Sequence, residues 1–280
     1  MKPWDELTIR DNYLFKKVLS LNEDLCRRLL ERVLGITIAK MDIVQTELGL
    51  ESDYKAKSVR LDVYAEDDCG RVYDIEMQAA DMADDQLFLR TRYYQAMIDQ
   101  GLLEKGQAYS SLRESYIIFV CAFDPFNLGL RRYTFRNRCD ERTELALPDR
   151  AVRIFLNAKG TLGEESEDVR GFLGYVNTNT AAGGFAAELA GAVKSFKENS
   201  EERGVYMSLA MEIQEYIEKE KNSWRAEGRA EGRAEGHAEG EAQANRKVAI
   251  RLQKLGLGME QIVEATGLST EEVRKLCQEK

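Results

Sequence analysis

Histidine is nearly absent from this chain, and its absence narrows the chemistry open to the protein. The sole histidine, His237, lies inside a low-complexity repeat. Catalysis that needs a histidine base, such as Ser-His-Asp hydrolysis, and metal centres built on histidine are therefore excluded. A hydrolytic site here must be built from carboxylates, lysine, serine, cysteine or a bound metal.

Cysteine is also sparse, and no two cysteines form a C-x-x-C pair. Their number is odd and they are scattered, which argues against a disulfide framework and against a zinc site. We expect reduced thiols that pack as small apolar side chains. The residues are Cys26, Cys69, Cys121, Cys139 and Cys277.

Long hydrophobic runs are missing as well. No apolar run approaches the roughly 18 residues that span a bilayer, and the N-terminus lacks a signal-peptide pattern, so we expect a cytoplasmic protein with no membrane segment. The 280 residues are 44% hydrophobic with three prolines, which is typical of one sizeable core plus a small appendage. A net charge of −9 argues against a generic nucleic-acid coat protein but permits a nuclease whose acids bind metal.

The most informative stretch is residues 60–78, RLDVYAEDDCGRVYDIEMQ. Two runs rich in Val, Ile and Tyr flank a polar break, which predicts two strands joined by a hairpin turn. Because side chains alternate along a strand, Glu76 and Gln78 share one face, and pairing about the turn brings Asp62 close to Glu76. Converging carboxylates suit Mg²⁺, which activates water and stabilises charge on a phosphodiester. The alternative is that these residues face solvent on a half-exposed hairpin.

The combination of Asp62 with Glu76-Met77-Gln78 resembles the PD-(D/E)XK nuclease core in its E-x-Q form, in which Gln replaces the usual Lys. More narrowly, the chain resembles the recombination-promoting nuclease family, also described as PD-(D/E)XK family transposases. The resemblance covers about residues 5 to 215. Further matching segments are DNYLFK (11–16), RTRYY (90–94), FVCAFDPF (119–126), YTFRN (133–137) and FLN (155–157).

This resemblance implies an α/β fold with a PD-(D/E)XK restriction-endonuclease-like core, a mixed central sheet flanked by helices, and a helical C-terminal extension. It implies that Asp62 and Glu76 hold Mg²⁺, with Mn²⁺ as a substitute, and that the Met77 carbonyl completes the ligand set. Gln78 would then orient the attacking water or contact the scissile phosphate. Asp11 is a candidate for an extra acid from the first helix, and the alternative is a helix-start residue.

Two basic segments are candidate DNA contacts. The resemblance places Arg90 and Tyr94 near the site, where they suit phosphate binding; alternatively the tyrosines are core residues and the arginines cap a sheet edge. A second stretch interleaves basic and aromatic residues, as in strands that contact nucleic acid. A solvated edge strand protected by its charges would look similar. The arginines of this stretch are Arg131, Arg132, Arg136 and Arg138.

The chain divides into three predicted parts. Residues 1–222 form the nuclease-like domain. Residues 223–245 contain the tetrapeptides RAEG, RAEG, RAEG and HAEG, which predict either a flexible or marginally helical linker or a helical stalk that self-associates through residues 225–240. Residues 246–280 have the spacing of a small helix-turn-helix-like module, although its third helix carries more acids than bases.

Two functional hypotheses follow. The first is a Mg²⁺-dependent DNA endonuclease that hydrolyses phosphodiester bonds and is linked to recombination or a mobile element. The second is a catalytically weak or inactive nuclease-fold scaffold that binds nucleic acid or protein partners. The intact Asp62 and Glu76 favour the enzyme, whereas Gln78 in the Lys position and the acidic net charge favour the scaffold, because Gln carries neither a proton nor a positive charge to the reaction.

Overall fold

Apolar runs of strand length build one six-stranded sheet in the computed structural model, which describes residues 1–44, 61–81 and 86–278. Arg60, the first residue of the predicted hairpin, lies outside the described residues. The strands are β1 (Met41–Ile43), β2 (Val63–Asp67), β3 (Val72–Gln78), β4 (Ser115–Cys121), β5 (Arg132–Phe135) and β6 (Ala151–Asn157).

The sheet is mixed, with the order β1-β2-β3-β4-β6-β5. β2 and β3 pair antiparallel with Val63 opposite Ile75, which confirms the predicted hairpin. β3, β4 and β6 run parallel, and β1 and β5 are antiparallel edge strands. Every residue of β4 is buried, as its continuous apolar sequence indicates for a strand covered on both faces.

Five helices cover the two faces of this sheet unequally. One face carries a large core in which Phe15 and Phe172 pack with Met77, and the other carries a smaller core in which Tyr94 packs with Phe119. Since Met77 faces the larger core, its neighbour Glu76 faces the smaller one. The helices are α1 (Asn12–Leu21), α2 (Glu23–Leu34), α4 (Glu167–Thr178) and α5 (Gly184–Glu198) on the first face and α3 (Gln86–Leu102) on the second.

The C-terminal part of the chain is helical. α6 (Ser200–Lys254) is followed by α7 (Met259–Thr266) and α8 (Thr270–Gln278), and the whole RAEG repeat lies within α6. The chain forms two compact units, Met1–Tyr206 and Met207–Lys280, so the boundaries predicted at 222 and 245 stay predictions. No helix in the described ranges is both long and apolar enough to cross a membrane.

The predicted small helical module has its own core. Ala249, Ile262, Leu268 and Val273 are buried together. Glu272 accepts hydrogen bonds from the Ser269 backbone and hydroxyl, and the Ser269 hydroxyl accepts one from the Glu272 backbone, which is a capping box at the start of α8. The sheet, its flanking helices and this helical C-terminal region confirm the predicted α/β fold class.

Candidate active site

The β2–β3 hairpin brings Asp62 and Glu76 into direct contact. The Asp62 backbone N–H donates to Glu76 Oε1 at 2.8 Å, and the Met77 backbone N–H donates to Asp62 Oδ2 at 3.1 Å. Asp62 itself lies immediately before β2, which begins at Val63. Because Val63 pairs with Ile75, the antiparallel register places Asp62 opposite Glu76.

A third carboxylate, Asp74, joins this pair and was missed by the sequence interpretation. Asp74 is fully buried at 0% exposure, and its carboxyl group meets that of Glu76 but receives no hydrogen bond from an N–H or hydroxyl group among the described residues. The period of two along β3 puts it on the same face as Glu76. That signal is present in the sequence, since Asp74 interrupts an otherwise apolar strand.

The electrostatics of these acids are unusual for a folded chain. Burial raises the pKa of Asp74 well above its ordinary range, and the neighbouring Glu76 and Asp62 charges raise it further. Burial, with the Asp62 charge, raises the pKa of Glu76 to about 8, against the opposing effects of the Asp62 backbone N–H and of Arg90. Buried carboxylates with too few donors favour a proton or a cation between them. The carboxylates of Asp62 and Glu76 are therefore the kind of hard oxygen ligands that suit a divalent metal, with the Asp74 carboxyl next to Glu76.

Helix α3 supplies a cation next to the carboxylates. Arg90 Nη2 donates to Gln78 Oε1 at 2.7 Å, and Gln78 Nε2 donates to the Ala80 carbonyl at 2.6 Å. The Arg90 guanidinium lies 4.8 Å from the ring centroid of Phe119 and 5.6 Å from that of Tyr94, within the range of cation–π attraction. Gln78 thus contacts the arginine rather than open space, and it fixes where that positive charge lies.

Helix α1 also reaches the hairpin. Lys16 Nζ donates to the Leu61 carbonyl at 3.3 Å, one residue before Asp62. Sequence interpretation did not select Lys16, because nothing local in the sequence shows that α1 packs against the start of β2. This contact ties α1 to the start of the hairpin, next to Asp62 in the chain.

The backbone at Met77 faces the Asp62 side of β3. The Gln78 carbonyl accepts from the Ala122 N–H, beyond the end of β4 on the other side. Adjacent residues of a strand direct their backbone groups to opposite sides, so the Met77 carbonyl lies on the same side as its N–H, which donates to Asp62. This placement agrees with the role proposed for the carbonyl as a metal ligand.

The comparison with protein families agrees with this geometry. The family model described as "PD-(D/E)XK nuclease family transposase" matches residues 9–158. The chain belongs to this family. Its match ends one residue beyond β6, so it covers the whole sheet together with α1, α2 and α3. No curated protein and no solved structure gives a significant match.

Within this member of the PD-(D/E)XK nuclease family transposases, Asp11 is the candidate for an extra acid from the first helix. Its described contacts lie at the start of that helix. Asp11 Oδ2 accepts from the Thr8 backbone and hydroxyl, and Oδ1 forms an ion pair with Lys2 at 2.7 Å. A catalytic role for Asp11 stays a prediction, and the contacts described for it are those of a residue at the start of a helix.

The four arginines of the basic stretch have different surroundings. Arg132 pairs with Glu165 at 2.6 Å, Arg131 donates to the Gly163 carbonyl, and Arg138 donates to the Thr143 carbonyl. Arg136 is exposed and lines a cavity beside β5. Their DNA contact stays a prediction, and Arg136 is the member best placed for it.

Another acidic group lies at the tip of the hairpin. Within the described ranges, ligand atoms of Asp67, Asp68 and Cys69 lie within 4.8 Å of one another. The Asp67 carboxylate, however, already accepts hydrogen bonds from the Cys69 and Arg71 backbones, the Arg71 side chain and the Tyr73 hydroxyl. Since these donors occupy its lone pairs, the group forms a turn rather than a metal centre.

Proposed function

We propose that this protein is a Mg²⁺-dependent DNA endonuclease that hydrolyses phosphodiester bonds in a recombination or mobile-element context. The observation that carries the proposal is the meeting of Asp62, Asp74 and Glu76 on one face of the sheet, where no N–H or hydroxyl group among the described residues donates a hydrogen bond to Asp74. A buried acid with a purely structural role would be expected to receive such hydrogen bonds, as Asp67 does. Membership of a nuclease family supports the same conclusion.

The metal would be held by the Asp62 and Glu76 carboxylates and the Met77 carbonyl, with Asp74 behind Glu76. Such an ion, when bound, activates water for attack and stabilises negative charge on the phosphodiester. Mg²⁺ fits these hard oxygen ligands, and Mn²⁺ is a reasonable substitute. Binding would also relieve the repulsion that raises the pKa values of Asp74 and Glu76.

Arg90 supplies the positive charge of the proposed site. Arg90 lies near enough to the carboxylates to lower the pKa values of both Asp74 and Glu76, and it is fixed by Gln78. In this position its guanidinium would bind the scissile phosphate and stabilise the charge that develops on it. Gln78 therefore acts as a positioning residue, since both ends of its amide contact the protein.

The first experiment is cleavage of a supercoiled plasmid by the full chain with Mg²⁺ or Mn²⁺. Wild type is expected to nick or linearise the plasmid, and Glu76→Ala or a chelator is expected to abolish cleavage. Asp68→Asn serves as the matched control, because Asp68 is an exposed acid on the same hairpin. Equal activity of Glu76→Ala and wild type would show that the hairpin is not the catalytic site.

A catalytically quiet scaffold is the second candidate. It is favoured by Gln78, which stands where the nuclease core usually carries Lys. The Gln78 amide hydrogen-bonds to the Arg90 guanidinium and to the Ala80 carbonyl. The scaffold would bind DNA in the presence of chelator and would leave plasmid intact with every divalent metal tested. Calorimetric titration of Mg²⁺ into wild type and Asp62→Ala separates the candidates further, since the enzyme requires binding that this substitution removes.

Self-association through residues 225–240 also stays a prediction. These residues are exposed along α6, and Gly228, Gly232, Gly236 and Gly240 have no neighbouring atom within 4 Å of where a Cβ would lie. Sedimentation velocity of wild type and of a variant with these four glycines changed to Gln would test it. A change from a larger species to monomer is the expected result.

A further inference from the structure

The cavity beside β5 that Arg136 lines is on the α3 face of the sheet and is distinct from the carboxylate cluster. Its volume is about 520 Å³, within the range of small-molecule sites. Residues of α3, of the loop after β4 and of strands β5 and β6 line it. Four of its lining side chains are aromatic: Phe88, Phe126, Phe135 and Phe155.

The aromatic rings form a stacking surface with one open side. Phe126 stacks on Phe88 with ring centroids 4.9 Å apart and an interplanar angle of 19°, and it meets Phe155 edge to face at 5.3 Å. Phe135 lies 5.1 Å from Phe126 and is 43% exposed. A large exposed ring beside a preformed aromatic cluster is a platform on which a planar group can stack.

Three arginines give this cavity its charge. Arg92 and Arg136 are exposed, and Arg153 is half-buried on β6. The Arg153 Nε atom is buried and has no hydrogen-bond acceptor within the described residues. A buried donor without an acceptor is costly, and an anionic oxygen would satisfy it.

The cavity is in register with the carboxylates. Glu76 lies opposite Phe119 on β4, and Phe119 lies opposite Phe155 on β6, so all three share one face. Two strand spacings separate Glu76 from Phe155, about 10 Å. Helix α3 contributes Arg90 to the carboxylate cluster and Arg92 to the cavity. The next nucleotides of a strand whose phosphate lies at the carboxylates would reach a cavity at this distance.

We propose that this cavity binds an unpaired nucleotide of the DNA substrate, close to the scissile phosphate. The base stacks on Phe135 beside Phe126, and the attached phosphate binds Arg153 and Arg92. Stacking needs a base that is free of its partner, so the preferred substrate has a single-stranded or unstacked region beside the cut. The inference rests on the proposed function in taking the polymer to be DNA. The aromatic rings and arginines that line the cavity are the reason for proposing a nucleotide as the ligand.

The test measures binding in chelator, so that no cleavage occurs. The full chain is titrated into a single-stranded decamer that carries 2-aminopurine at one position, and the position is moved along the strand. At one position the fluorescence of the analogue is expected to be quenched by stacking. Phe135→Ala is expected to abolish this quenching and to weaken binding about 5- to 100-fold, whereas Phe135→Tyr retains both.

Two further experiments separate the contribution of the base to binding from that of the phosphate. A decamer with an abasic residue at the quenched position is expected to bind wild type as weakly as the intact decamer binds Phe135→Ala, with no added loss when the two changes are combined. Arg153→Gln is expected to weaken binding and reduce its salt dependence. The matched control is Arg170→Gln, an exposed arginine on α4 on the opposite side of the sheet.

The proposal is overturned if no position of the analogue is quenched, or if Phe135→Ala binds the decamer as wild type does while circular dichroism shows it folded. An acidic peptide that binds as tightly as the decamer, and loses affinity in Phe135→Ala, would assign the cavity to a protein partner instead. Plasmid cleavage in Mg²⁺ is measured separately. Cleavage without quenching removes the cavity from the mechanism and leaves the nuclease intact, and quenching without cleavage does the reverse.

Discussion

Two buried aspartates on the same hairpin have opposite environments. Asp67, at the end of β2, accepts hydrogen bonds from Arg71 Nε at 2.6 Å and Tyr73 Oη at 2.7 Å, in addition to two backbone donors. Although burial alone would raise its pKa, the hydrogen bonds from Tyr73 and Arg71 outweigh burial and lower the pKa of Asp67. Asp74, seven residues later, is fully buried without such donors among the described residues, and its pKa is raised.

The contrast shows that burial does not by itself distinguish a structural acid from a functional one. A structural acid is surrounded by donors from its own chain, which stabilise its charge when the protein folds. A buried acid that lacks such donors destabilises the fold when it is charged, until a ligand such as a cation binds to it. Proximity of possible ligand atoms, as at Asp67, Asp68 and Cys69, is therefore a poorer guide to a metal site than the absence of donors.

The largest effect is expected from removing the structural acid. Asp67→Ala leaves the Arg71 guanidinium and the Tyr73 hydroxyl without their partner, which should lower the free energy of unfolding by about 3 kcal/mol. Asp74→Asn replaces a buried carboxyl group that receives no hydrogen bond from an N–H or hydroxyl group within the described residues, so it should not destabilise the metal-free protein. Urea denaturation in chelator measures both, and equal destabilisation by the two changes would contradict the comparison.

Mg²⁺ should stabilise the folded protein through the proposed metal-binding acids, and this stabilisation should not depend on Asp67. At a concentration about 100 times the dissociation constant, a bound ion should raise the free energy of unfolding by about 2.7 kcal/mol. This gain should disappear in Asp62→Asn and remain in Asp67→Asn. Thermal denaturation with and without Mg²⁺ provides the measurement, and a gain retained by Asp62→Asn would place the ion elsewhere.

Gln78 should have a smaller effect, on rate rather than on folding. Gln78→Met keeps the length of the side chain but removes the acceptor for Arg90, so plasmid cleavage should fall about 10-fold, which corresponds to about 1.4 kcal/mol. Mg²⁺ affinity should be unchanged, because Gln78 is not among the proposed ligands. A parallel loss of Mg²⁺ affinity would show that Gln78 acts on the metal and not through Arg90.

The last effect is on the pH dependence of stability. Glu76 has a folded pKa of about 8 against an ordinary value of 4.5. The folded state therefore holds more protons than the unfolded state between these values, so metal-free stability should fall as pH rises from about 5 to 8. Asp67, with a lowered pKa, has the opposite sign and loses its contribution in acid.

A matched pair of curves tests this dependence. Glu76→Gln in chelator should flatten the decline between pH 5 and 8, because it removes the group whose pKa is raised. Saturating Mg²⁺ should flatten the wild-type curve in the same window. A steep decline that survives in Glu76→Gln would attribute the titration to another group.

Much of this architecture was predictable from local patterns. Alternation and the polar break predicted the hairpin, and the spacing of residues 246–280 predicted the small helical module. The resemblance of Asp62 and Glu76 to a nuclease core predicted the family, which the family match confirms. These features depend on periodicity and short spacings, which a single sequence contains.

The features that were missed depend on partners distant in sequence. Lys16 reaches Leu61 across 45 positions, and Arg132 finds Glu165 across 33, so neither contact is visible locally. The four arginines of residues 131–138 lie in one basic stretch of the sequence, but they have different surroundings in the structure. The RAEG repeat remained open between linker and stalk because glycine lowers helix propensity, whereas the structure continues α6 through it.

The number of residues in the hairpin turn is constrained more tightly than the identity of its exposed side chains. Glu66 pairs with Val72, and Gly70, with φ of +76°, closes the turn between them. One inserted residue would shift β3 by one position relative to β2 and reverse its faces, exchanging Glu76 with its apolar neighbours. Single-residue insertions and deletions at positions 68–71 should therefore inactivate the protein where most exposed substitutions, such as those of Asp68, are tolerated. In a randomised library the turn would vary at exposed positions such as Asp68, and would keep Gly70 and its length.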